Sequence, residues 1–179
     1  MTNAELAILG LVIEQPRHGY EIEQVINERG MRNWTEVGFS SIYYLLKKLE
    51  GSGLVESHLE QVGPGPARKV YSATAAGRQA LHEAVIEALS RPERCYQPFL
   101  LGLSHLPRIP HEAVVAALQQ YRAGLQARLA EVQEGAQRQQ PLPGHVEAMF
   151  DYSQALIGAE LAWIEGFIRQ WEEENHGQG

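Results

Sequence analysis

The chain has 179 residues, 44% of them hydrophobic and 21% charged, which is the composition of a folded protein with a sizeable core. A net charge of −7 excludes a uniformly basic nucleic-acid coat, and a single cysteine excludes an internal disulfide framework. No run of about 18 apolar residues marks a membrane span, and the single cysteine fits a reducing, cytoplasmic setting.

The first predicted element is a helix over Asn3–Ile13, with Asn3 as its cap and Leu6, Leu9 and Ile13 at helical spacing. Glu5 and Glu14 interrupt its apolar run and no basic stretch precedes it, so it reads as a folded helix rather than a signal peptide. A second helix is expected over Tyr20–Glu28, ended by Gly30. The third, SSIYYLLKKLE, starts near Ser40, which could cap it, and stops at Gly51 and Gly53. The pattern then turns strand-like in LVESHLEQV, passes a turn at GPGP (63–66) and returns in ARKVYSAT. Thr74 is the expected cap of a fourth helix.

Beyond residue 90 the chain reads as all-helical. A short apolar helix is expected around Cys95–His105, then two long helices over about 112–138 and 145–173 separated by PLPG. Each would be roughly 40 Å long at about 1.5 Å per residue. Leu118 and Leu125 on the first, and Leu156 and Ile164 on the second, fall on near-heptad seams. A helix pair this long with apolar residues on more than one face points to self-association.

Charge is uneven in a telling place. All three lysines are Lys47, Lys48 and Lys69, and no acidic residue lies between Gln61 and Arg78. Wound as a helix, 40–49 puts Ile42, Leu45, Leu46 and Leu49 on one face. Ser40, Tyr44, Lys47 and Lys48 fall on the other, with Ser41 and Tyr43 at the boundary. Hydroxyls, phenols and ammonium groups without a carboxylate suit phosphate contact and base-edge hydrogen bonding. A solvated amphipathic helix would carry the same pattern. A hairpin bearing Arg68 and Lys69 directly after this helix is the winged helix-turn-helix order, in which the helix enters the major groove and the wing follows the backbone.

Three blocks, HGYEI (18–22), SSIYYLLKKLEGSGLVES (40–57) and RKVYSATAAGRQAL (68–81), resemble the PadR family of bacterial transcriptional regulators over about residues 4–90. The second half is similar in length and helical pattern to the C-terminal region of the longer members, shared with AphA-like regulators. The resemblance implies a mainly α fold with a small β-hairpin wing. It comprises an N-terminal winged helix-turn-helix domain (1–90) and long antiparallel C-terminal helices for dimerisation (91–179). It also implies a homodimeric DNA-binding regulator, a repressor on an inverted-repeat operator, with no cofactor and no membrane partner. Some members leave DNA on binding a small aromatic molecule.

Tyr43 stands where the family has its backbone-contacting tyrosine, Lys47 and Lys48 match the basic pair after it, and Arg68 and Lys69 match the wing. His18, Gly19 and Tyr20 match the start of the second helix, with His18 able to approach phosphate. Ser40 replaces a frequent glycine and Tyr44 a frequent proline, which leaves base preference open.

The seven histidines show no metal-ligand spacing, and Cys95 lacks a second cysteine, so it reads as a structural thiol. Trp163, Phe167 and Trp171 repeat at helical spacing. They read as dimer core or, with Tyr96, Phe99 and Tyr152, as an aromatic effector pocket between subunits. No catalytic constellation is present in the sequence. A winged-helix interaction module without DNA binding, and an activator, are the alternative readings.

Overall fold

Helix α1 (Asn3–Glu14) opens on a reciprocal cap. The Thr2 hydroxyl accepts from the Glu5 N–H at 3.2 Å, and the Glu5 carboxylate accepts from the Thr2 N–H at 2.8 Å. The cap is therefore Thr2, not Asn3, because only the residue before the first helical turn can reach back to that N–H. These features belong to a computed structural model, which describes the whole chain apart from residues 36–37, 62–66, 93, 95 and 177–179. The expected GPGP turn and Cys95 lie outside the described residues.

The first of two compact units spans Met1–Arg94. After α1 come a two-residue strand β1 (Arg17–His18), helix α2 (Gly19–Glu28), a 3-10 turn (Met31–Asn33) and helix α3 (Phe39–Gly51). Strands β2 (Val55–Glu60) and β3 (Arg68–Ala73) and helix α4 (Ala75–Ser90) follow. Gly38 is the residue before α3 and provides no side-chain cap, so Ser40 sits inside the first turn instead of capping it. Thr74 caps α4 as expected, accepting from the Gly77 N–H at 3.0 Å.

The wing is a three-stranded antiparallel sheet in the order β1-β3-β2, not a bare hairpin. Arg17 pairs with Tyr71 and His18 with Val70 on one side of β3, while β2 runs from Val55 opposite Ala73 to Glu60 opposite Arg68. A two-residue strand has no alternation to read, which is why β1 was invisible in the pattern.

The core of this unit is built by one face of each helix. Ile8, Leu9 and Val12 of α1 meet Ile22 and Ile26 of α2, and Ile42, Leu45, Leu46 and Leu49 of α3 close over them. Each fully buried leucine or isoleucine contributes about 1.5–3 kcal/mol. The core thereby fixes which face of α3 points outward.

The second unit spans Cys95–Gly179. It holds α5 (Pro98–Ser104), a 3-10 turn (Leu106–Arg108) and the long helices α6 (His111–Arg138) and α7 (Gly144–His176). Val114, Leu118, Leu125 and Val132 of α6 are buried, as are Phe150, Ile157, Leu161, Ile164 and Ile168 of α7. The Tyr121 hydroxyl donates to Glu160 across this pair at 2.5 Å, which pushes the Tyr121 pKa up to about 12. The inner seam of α7 therefore runs through Phe150 and Ile157, one residue on from the expected Met149 and Leu156. Leu118, Leu125 and Ile164, expected at the dimer seam, are buried within the chain. Leu156 stands outward, 54% exposed, while Phe167 and Trp171 are half-buried. Among the described residues no helix is long and apolar enough to cross a membrane.

Candidate nucleic-acid interface

With Ile42, Leu45, Leu46 and Leu49 turned inward, α3 presents Tyr43, Tyr44, Lys47 and Lys48 to solvent. Tyr44 is the most open of the tyrosines on this helix, at 67%, and Tyr43 is 53% exposed. Ser41 is half-buried, and the Ser40 side chain lies outside the described residues. The Tyr43 ring is laid across the start of α2. A β-carbon at Gly19 would stand 2.6 Å from the ring, so only glycine allows this approach.

The start of α2 is itself rigid. The His18 imidazole Nδ1 accepts from the Glu21 N–H at 3.3 Å while the Glu21 carboxylate accepts from the His18 N–H at 3.0 Å. His18 stacks on Tyr20 with ring centres 6.3 Å apart. On the far side, Arg68 of β3 places a guanidinium nitrogen 3.4 Å from the His18 Nε2. His18, Gly19, Tyr20, Tyr43, Arg68, Lys69 and Tyr71 together line an open groove of about 600 Å³. The strand β1, missed in the pattern, holds His18 against β3 and so closes this groove.

The positive charge is less free than the sequence suggested. The Lys48 ammonium sits 2.5 Å from the Glu5 carboxylate of α1, and that pair holds the Glu5 carboxyl below its ordinary value. The Lys69 ammonium sits 2.7 Å from the Glu50 carboxylate, near the end of α3, and 5.2 Å from the centre of the Tyr71 ring. Hydrogen bonds from Lys69, and then from Ser57, hold the Glu50 carboxyl low as well. Among the described residues no carboxylate pairs with Lys47 or Arg68. Glu60 faces Arg68 across the β2–β3 ladder without an ion pair between them.

Tyr20, Tyr71 and Glu50 were not singled out by the sequence reading. Tyr20 had been placed with the apolar face of α2, yet it is 57% exposed and belongs to the groove. Its position directly after His18 and Gly19, at the helix start, was the available signal.

The residues expected to form an effector pocket are only partly brought together. Phe99 stacks on Tyr121 at 4.4 Å and meets Trp163 edge-on at 5.9 Å. Trp163, Phe167 and Trp171 form a ladder along α7, with ring centres 5.0 and 6.0 Å apart. Tyr96 and Tyr152 stand open to solvent, 88% and 67% exposed. Among the described residues no cluster of three histidine, cysteine or acidic side chains could hold a metal ion.

Comparison with known proteins agrees with this arrangement. The model of the transcriptional regulator PadR-like family matches residues 8–83. A transcriptional regulator of Mycobacterium tuberculosis is 38% identical over 88 residues, covering 48% of this chain and 78% of that protein. The negative transcriptional regulator PadR of Bacillus subtilis is 28% identical over 127 residues, covering 71% of this chain and 69% of that protein. The crystal structure of Bacillus subtilis PadR with operator DNA superposes with a TM-score of 0.77 at 21% identity. That alignment covers 93% of this chain and 98% of that one. A PadR-like regulator of Bacillus cereus gives 0.71 at 17% identity over 97% of this chain and 100% of that one. These likenesses carry the fold along both units, and the sequence matches carry the family: the chain belongs to the PadR-like family of transcriptional regulators.

Proposed function

We propose that this regulator is a homodimeric repressor that reads an inverted-repeat operator with α3 and the β2–β3 wing. A small aromatic molecule releases it, and it acts in the cytoplasm, where its DNA lies. The observation that carries the DNA reading is the outward face of α3. Tyr43, Tyr44 and Lys47 project from a helix whose other face is locked in the core, with Arg68 across the groove from Tyr43.

Lys47 and Arg68 are the cations left to meet phosphate, and Tyr43, Tyr44 and Ser41 supply hydroxyls for phosphate or base edges. Ser40 belongs to the same end of α3, and His18 stands close enough to Arg68 to share a phosphate with it. Half-sites then fall about 34–36 Å apart, one turn of the duplex.

The sign of regulation follows the Bacillus subtilis relative, which is a negative regulator. The same protein has been crystallised with p-coumaric acid, which supports an aromatic effector here. The Phe99–Tyr121–Trp163 ring cluster is the place we assign to it. Such a ligand must bind the DNA-free form better than the operator-bound form, since equal affinity shifts nothing.

The dimer reading rests on α7. Met149, Tyr152, Leu156, Ala159 and Trp163 are exposed at spacings of three and four residues, a second apolar seam on the outer side of the helix. Tyr152 and Trp163 serve this seam, and Phe167 and Trp171 continue it at its end.

A titration of the purified protein against the DNA upstream of its own gene, with a scrambled duplex and two salt concentrations, tests the reading. Tight, selective binding that falls steeply with salt is expected. Lys47→Ala and Arg68→Ala should each weaken binding and lower the salt slope by about 0.9, the loss of one phosphate contact. Equal weak binding to both duplexes, or two variants that bind normally, would overturn it.

A further inference from the structure

Of the five cations that the sequence placed at the DNA face, two already hold a carboxylate. Lys69 is the informative one. It lies on β3 inside the groove, at the position where a wing residue is expected to meet phosphate. Yet its ammonium is 2.7 Å from Glu50, which also accepts a hydrogen bond from the Ser57 hydroxyl of β2. Glu50 thus ties the end of the recognition helix to both strands of the wing.

The placement of Glu50 is electrostatically odd. It is the penultimate residue of α3, beside the negative end of the helix dipole, where a carboxylate is disfavoured. It is also on the helix that offers Lys47 to DNA, where a bare carboxylate would repel phosphate. Both costs disappear when Lys69 covers it.

We propose that Lys69 is the counter-charge of Glu50 rather than a phosphate contact, and that the pair sets the wing against the recognition helix while keeping Glu50 from repelling DNA. Arg68 is then the wing's cation for phosphate. Lys69 acts through Glu50 and is a positioning residue. This inference rests on the DNA-binding reading, and a double-mutant cycle separates the two. The cycle uses the full chain with a mixed-sequence duplex long enough for two half-sites, and it compares wild type, Lys69→Gln, Glu50→Gln and the double variant over a salt series.

Lys69→Gln strips Glu50 of its cover and should weaken binding about threefold to fivefold, the scale of one exposed ion pair. Adding Glu50→Gln should bring affinity back to within about twofold of wild type, with an unchanged salt slope, because no phosphate contact has been lost. Glu50→Gln alone should bind at least as tightly as wild type. If Lys69 touches phosphate, the double variant instead stays as weak as Lys69→Gln and its slope falls by about 0.9. That result, or a Lys69→Gln variant that binds like wild type, would overturn the proposal. Rescue by a second neutralising change is an outcome that a merely destabilised wing does not give, and melting curves of the four proteins check that each is folded. The wild-type titration reports on DNA binding by itself. Salt-sensitive wild-type binding without rescue removes only the assignment of Lys69.

Discussion

Gly19 and Gly77 are both buried against a neighbour that a methyl group would strike, yet the two collisions have different consequences. At Gly19 the obstacle is the Tyr43 ring, the far end of a side chain that is half open to solvent and can swing away. At Gly77 it is the backbone carbonyl of Leu54, which also accepts the Thr74 N–H at 3.1 Å and cannot move without disturbing the start of α4. Gly19→Ala is therefore expected to fold with a melting temperature near wild type while losing DNA affinity, because Tyr43 is displaced from the groove. Gly77→Ala is expected to lose about 2–3 kcal/mol of stability, the range for overpacking a rigid site. Urea unfolding of both, beside a DNA titration of the first, checks this. A Gly19→Ala protein that binds DNA normally would show that Tyr43 does not need its present position.

Helix α1 anchors the first unit through its end as well as its apolar face. The Glu14 carboxylate holds Arg29, at the end of α2, with two contacts of 2.7 and 2.9 Å, and Arg17 of β1 at 3.2 Å. The Arg29 hydrogen bond is the main cause that keeps the Glu14 carboxyl below its ordinary value of 4.5, with Arg17 adding to it. A carboxyl lowered by folding stabilises the folded state above its unfolded value, and that contribution is lost as pH falls through the lower folded value. Glu14→Gln should thus lower the melting temperature at pH 7, and the gap from wild type should close as the pH falls well below 4.5. A gap that persists in acid would mean that Glu14 acts through packing rather than charge.

Partnerships of this kind explain which elements were legible in the sequence. The inward face of α3 was readable, because Ile42, Leu45, Leu46 and Leu49 obey a period set by the helix itself. The ion pairs were not, because Glu5 and Lys48, or Glu50 and Lys69, meet only when distant segments fold together. The seam of α7 was misread by one residue for a related reason. Its apolar residues occupy two adjacent faces, so spacing alone fits Met149 and Leu156 as well as Phe150 and Ile157. Contact with α6 decides which face is inside.

At the scale of the whole molecule, that second face carries the dimer reading. A soluble regulator that leaves Met149, Tyr152, Leu156 and Trp163 exposed on one line of a helix has a seam that only association would cover. Leu156 stands in the middle of the line and is turned away from the α6 contact, whereas its neighbour Ile157 is buried. Leu156→Glu should consequently leave each chain folded and yield monomers, while Ile157→Ala should leave the dimer intact and lower stability by about 2–4 kcal/mol. Light scattering during size-exclusion chromatography separates the two. The consequence for DNA is large because a dimer joins two modest half-site contacts into one event. Losing the link removes an effective-concentration advantage of about 10²–10⁴. Leu156→Glu should therefore bind an inverted-repeat operator at least about 100-fold more weakly, with a salt slope near half that of wild type, since only one set of phosphates is met at a time. A Leu156→Glu protein that remains dimeric would place the subunit contact on another face. One that is monomeric yet binds at full strength would mean that each half-site is read independently.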